Sequence, residues 1–238
     1  KTAVLPPPTP PSIHASRQAR GTVPIVGVDL ETDPIEAGWI KSLARPGGNL
    51  TGFFLDIPEL SGKLLQFLAE AMPRLQRVAV LWDADLARTQ LKATEATART
   101  LKFQLQSLPV RRPDEFAGAF EQPRQQRPQA VVTPSSPLIF QNLRRLGALA
   151  IEQRLPAISV FPQFAAAGGL MGYGPNLADL FRRAARYVHR ILKGAVPADL
   201  PIQRPVLFVL TINAGTAKAL GMTLPHSLIL RADQLIEA

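Results

Sequence analysis

The chain has 238 residues, 46% of them hydrophobic, enough to bury a substantial core in one large domain or two small ones. Charged or proline residues interrupt every apolar run before the roughly 20 residues of a membrane-spanning helix, and the absence of cysteine excludes disulfides, thiolate chemistry and Cys-based zinc sites while leaving the compartment open. Lysine and arginine outnumber aspartate and glutamate by 27 to 18, a formal charge of +9, but they are scattered over polar helix positions and helix ends, the pattern of solvated faces rather than of a nucleic-acid groove.

The chain opens on Lys1 to Leu5 and runs into Pro6-Pro7-Pro8, without the apolar core of a secretory signal. Short β-rich runs then alternate with helix-period segments, the signature of βαβ units and a parallel sheet. Val23 to Val28 reads as a strand, Ile35 to Leu43 as a short helix, and Leu50 to Phe54 as a strand after the turn Arg45-Pro46-Gly47-Gly48-Asn49. Helix Pro58 to Met72 carries Leu60, Leu64, Leu65, Phe67 and Leu68 at helical spacing. Strand Arg77 to Trp82, ending at Asp83, precedes helix Leu86 to Leu101 and strand Gln104 to Val110. Helix Pro113 to Gln125, strand Ala130 to Thr133, helix Leu138 to Gln153 and strand Pro156 to Val160 complete one doubly wound lobe. Strand Gly168 to Tyr173, helix Leu177 to Leu192, a proline-rich connector from Ala195 to Pro205, strand Val206 to Ile212 and helix Thr216 to Leu220 follow.

No dinucleotide, triphosphate, nucleophile-elbow or zincin motif occurs, and His14, His189 and His226 are far apart. Carboxylates at strand ends, Asp29, Asp33 and Asp83, keep acid–base chemistry open. In an open α/β sheet ligands bind beyond the carboxyl ends of the strands, which directs attention to Asp29 to Asp33, Asp83 to Asp85, Pro134 to Pro137, Phe161 to Phe164 and Tyr173 to Asn176. These hydroxyls, carboxylates and aromatics suit a mostly apolar pocket with a few oriented polar groups, not a metal cage, and imply no cofactor. Asp114 and Asn176, just ahead of helices, read as caps.

Several runs carry a family resemblance. Ser42-Leu43-Ala44-Arg45-Pro46-Gly47-Gly48-Asn49-Leu50-Thr51-Gly52, Ala166 to Gly174, Ile191-Leu192-Lys193-Gly194 with Pro197 to Pro201, Ile212-Asn213 with Ala217 to Gly221, and Leu230 to Asp233 occur in the order seen in ABC-transporter substrate-binding proteins of the tryptophan-binding, TrpX-like type. The resemblance implies a type I periplasmic-binding-protein-like α/β fold, two lobes with parallel sheets flanked by helices, closing on a ligand held between them. Residues 1–54 with 174–205 would form lobe I and 55–173 with 206–238 lobe II, crossing near Gly52 to Asp56, Gly172 to Pro175 and Val206 to Asn213. It further implies an additional front segment holding the first elements of lobe I, so the N-terminal lobe is expected to be incomplete, with Thr9 and Ser12 left over from its ligand loop.

The reading that results is a non-enzymatic solute-binding protein, periplasmic or otherwise extracytoplasmic in location. It would deliver an amino acid or an aromatic or heterocyclic compound to an ABC transporter permease, meeting the membrane only through that transporter or a lost lipid anchor, with no nucleic-acid partner. Thr9, Asp29, Thr32, Trp82, Asp83, Ser135, Ser136, Phe161 and Tyr173 are the expected ligand contacts, aromatics enclosing an apolar part and Asp29, Ser135 and Ser136 orienting polar groups. A periplasmic sensor or regulatory module on the same fold, a truncated relative that no longer binds, and an α/β enzyme using Asp29 and Asp83 stay open as alternatives.

Overall fold

A computed structural model of the chain describes residues 3–4, 23–55, 58–121 and 127–237. The chain divides into two compact units: Lys1–Asp56 with Asn176–Leu207, and Ile57–Pro175 with Phe208–Ala238.

In the first unit β1 (Ala3–Val4), β2 (Ile25–Asp29) and β3 (Leu50–Phe54) form a parallel sheet in that order. Every residue of β2 and β3 is buried, as expected of strands covered on both faces. A core cluster of Ile25, Trp39, Ile40, Leu50, Phe54 and Ile202 forms on this sheet. The segment predicted as a helix, Ile35 to Leu43, is instead a single turn. The Asp33 carboxylate accepts the N–H groups of Ile35 and Glu36, and those of Trp39 and Ile40 both reach the Pro34 carbonyl. Gly38, at φ +66°, closes the turn in a conformation that side chains resist, and Trp39 and Ile40 drop into the core instead of extending a helix. A long helix of this unit, Leu177–Leu192, packs on β2 and β3 through Leu180, Ala184, Tyr187 and Ile191, with Asn176 capping it by accepting the Asp179 N–H.

The second unit contains α1 (Pro58–Ala71), β4 (Arg77–Asp83), α2 (Arg88–Thr100), β5 (Gln104–Val110), α3 (Glu115–Glu121), β6 (Ala130–Thr133), α4 (Pro137–Gln141), α5 (Leu143–Glu152), β7 (Ala157–Ser159), α6 (Gln163–Ala166) and β8 (Met171–Pro175). The Leu177–Leu192 helix of the first unit is α7; then come β9 (Phe208–Asn213), α8 (Ala214–Ala219), α9 (His226–Leu230) and β10 (Gln234–Ile236). The sheet runs β10-β9-β8-β7-β6-β4-β5, parallel except that β8 and β9 are antiparallel. One predicted helix, Leu138 to Gln153, is two. At Asn142, φ −120°, the side-chain amide donates to the Leu138 carbonyl (2.8 Å), and the backbone leaves the helical region before α5 begins. The short α6, α9 and β10 lie outside the predicted elements. No helix among the described residues is long and apolar enough to cross a membrane.

Candidate functional site

The strand order of the larger sheet changes direction between β4 and β6. From β4 the chain moves outward to β5, then returns to the other side of β4 as β6 and continues through β7 and β8. At such a switch point the connections leave toward opposite faces of the sheet, opening a crevice at the carboxyl ends of the two central strands. Asp83 ends one of these strands and Thr133 the other.

Asp83 is 5% exposed. Its carboxylate accepts the Asp85 N–H (3.0 Å) and bonds to the Ser136 hydroxyl, but burial outweighs these bonds and holds the carboxyl above its ordinary range. Ser136 also accepts the Ile139 N–H (3.1 Å), so one hydroxyl both caps α4 and fixes Asp83. The loop between β6 and α4 is tied to α2 through Ser135. Its N–H donates to Gln90 Oε1 at 2.8 Å, and Gln90 Nε2 donates back to its carbonyl at 3.3 Å. Phe161, just beyond β7, is buried against Phe140 with ring centroids 4.9 Å apart. The structure thus gathers Asp83, Ser135, Ser136 and Phe161 along one carboxyl edge.

Two residues of this edge were not singled out from sequence. Thr133 is buried, and its hydroxyl has no hydrogen-bond partner among the described residues. Ser159, its register partner across β6 and β7, accepts the Phe161 N–H (3.3 Å). An unsatisfied buried hydroxyl costs about 1–3 kcal/mol, which makes the Thr133 hydroxyl a candidate donor at this edge. The available signal was its position, a hydroxyl in the last place of a buried strand before proline.

Trp82 and Tyr173 stand apart from this edge. Trp82 alternates to a face packed by Val80, Ala87 and Leu91, and its indole N–H donates to the Ser107 hydroxyl at 2.8 Å. Tyr173, half-buried in β8, lies between Phe67 and Phe208, with centroids 4.9 and 6.0 Å away, and burial raises its phenol. Gly174 beside it is required by close approach, because a Cβ there would come 1.8 Å from the Val160 carbonyl oxygen.

In the first unit Asp29 ends β2 and is 1% exposed. Its carboxylate accepts the N–H groups of Glu31 and Thr32, both at 2.8 Å, and the Thr32 hydroxyl at 3.3 Å, yet burial pushes it up to about 6. Asp29 and Thr32 therefore form a closed, self-bonded strand-end loop. Thr9 lies outside the described residues. No group of three or more His, Cys, Asp or Glu that could hold a metal ion occurs among the described residues.

A buried carboxylate flanked by hydroxyls and an aromatic ring can accept and donate hydrogen bonds to a small polar molecule while covering an apolar part. Residues 4–236 match the model of a family described as ABC transporter substrate binding protein. The chain belongs to this family. As an ABC substrate-binding protein it is 24% identical over 216 residues to the Tyrosine-binding protein of Clostridioides difficile (strain R20291), covering 89% of this chain and 61% of that one. It thus spans under two thirds of that curated relative's length. A solved structure of the ABC domain in complex with L-Trp from Streptococcus pneumoniae is 23% identical with a TM-score of 0.82, covering 95% of this chain and 78% of that one. A conserved domain protein from Vibrio cholerae is 21% identical with a TM-score of 0.83, covering 94% and 75%. The fold is that of the two-lobed periplasmic binding proteins, and the family is one of extracytoplasmic solute binders.

Proposed function

We propose that this chain is the ligand-capturing component of an ABC importer, taking up an amino acid or a related aromatic or heterocyclic compound outside the cytoplasm and presenting it to a permease without chemical change. The observation that carries the reading is the family match over residues 4–236. The relative named for tyrosine and the structure bound to L-Trp support an aromatic amino acid as the first ligand class to try.

The carboxyl edge of the larger sheet supplies suitable contacts. Asp83 and Ser136 would receive an ammonium or hydroxyl group, Thr133 would give its unpaired hydroxyl to an acceptor, and Phe161 would cover an apolar part. Asp29 and Thr32 would shape their own strand-end loop in the first unit. Isothermal titration calorimetry of the folded chain with L-tryptophan, L-tyrosine, L-phenylalanine, purines and sugars tests the proposal. Saturable binding of at least one compound, weakened by Asp83→Asn, is the expected result. A folded chain that gives no heat with any of them would sink the reading, and catalytic turnover of any of them would replace it with an enzyme.

A further inference from the structure

Helix α7 carries a charge excess that ligand capture does not use. Arg182, Arg186, His189 and Lys193 follow one another at intervals of four, three and four residues, with Arg190 beside them, and all five are exposed. At about 100° per residue they occupy a sector of roughly 100°, opposite the buried face made by Leu180, Ala184, Tyr187 and Ile191. Asp179 is the single acid in the helix and pairs with Arg182 at 3.3 Å and Arg183 at 3.7 Å. Arg186, Arg190 and Lys193 have no ion pair among the described residues. The negative end of the helix dipole accounts for cations in its last turn but not for Arg182 or Arg186 farther back.

We propose that this face of α7 rests on an anionic phospholipid surface, with Arg186, Arg190 and Lys193 at the headgroups. The row from Arg186 to Lys193 is only about 10 Å long, and its one aromatic neighbour, Tyr187, faces inward. This short row fits a sheet of headgroups better than the backbone of a nucleic acid, which calls for longer basic tracks and exposed stacking rings.

Flotation of the full chain with phosphatidylcholine vesicles, with and without about one third phosphatidylglycerol, tests the proposal. Binding to the anionic vesicles alone is expected, together with its loss at high salt. The triple variant R186E/R190E/K193E is expected to lower the partition coefficient at least about tenfold. An equal reversal elsewhere, R74E/K92E/R144E, is expected to leave most of the binding in place. If the first variant loses its circular dichroism spectrum, R186Q/R190Q/K193Q makes the same comparison. Absence of binding by the parent chain, an unaffected stripe variant, or equal loss in both triples would overturn the proposal. Preferential retention of duplex DNA through the same stripe would also overturn it.

Discussion

At Thr133 one oxygen atom separates two explanations of the carboxyl edge. If its buried hydroxyl serves a ligand, Thr133→Val, which keeps the shape and removes the oxygen, weakens binding about tenfold while leaving the fold as stable as before or slightly more so. Calorimetry paired with urea denaturation measures both quantities, and unchanged affinity would remove Thr133 from the site. Asp29 makes a prediction about pH. Its carboxyl is pushed up from 3.8 to about 6 in the folded chain, so protonation favours the fold. That stabilising contribution is complete below about pH 3.8 and is lost as pH rises through about 6. Asn can still accept from Glu31 and Thr32 but cannot ionise, so Asp29→Asn is expected to flatten stability against pH over this window. Denaturation curves at several pH values check it, and an unaltered slope would show that another group controls the window.

Elements differ in how plainly the sequence announces them, and the difference has a physical source. Leu50–Phe54, Gln104–Val110 and Ala130–Thr133 fall where their apolar or alternating runs predict, because burial and pairing in the sheet leave few alternatives. Where a side chain competes for backbone groups, periodicity misleads. Asn142 splits one predicted helix through its bond to Leu138, and Asp33 with Gly38 reduces another to a turn. The strand Gln234–Ile236 is largely exposed and pairs in parallel with β9, so it leaves no hydrophobic signature. The candidate site divides in the same way. Strand-end positions such as Asp83 and Ser136 can be read from element boundaries, whereas the burial of Trp82 against Ala87 and Leu91 depends on which face of β4 it takes. A prediction at this scale concerns β8. Gly174→Ala must push back the Val160 carbonyl, which the added Cβ would approach to 1.8 Å, at a cost of about 1–3 kcal/mol or more. The displaced Val160 backbone leads directly into Phe161, so thermal melts should show destabilisation and calorimetry a parallel loss of affinity. A neutral melt would mean that β8 can shift sideways.

For the molecule as a whole, ligand capture predicts a stability that depends on ligand concentration. A compound bound only by the folded state adds about 2.7 kcal/mol at one hundred times its dissociation constant, which a thermal-shift series with L-tryptophan and L-tyrosine would register as a rising midpoint. A midpoint independent of both amino acids would exclude the aromatic class.

The first unit is assembled from two stretches of chain that are far apart in sequence, and this affects the order of folding. The Thr51 hydroxyl donates to the carbonyl of Leu200, 149 residues later, and Phe53 bridges to Gln203. Such contacts require a long loop to close before they return any stabilisation. A chain emerging from the ribosome therefore holds β2 and β3 without α7 and the Gln203 segment until the intervening residues, 149 from Thr51 to Leu200, have been made. The same feature that builds one unit from two pieces also makes its completion the late step, leaving β2 and β3 unsettled during synthesis and, for an exported protein, available to be threaded through a membrane pore before they lock.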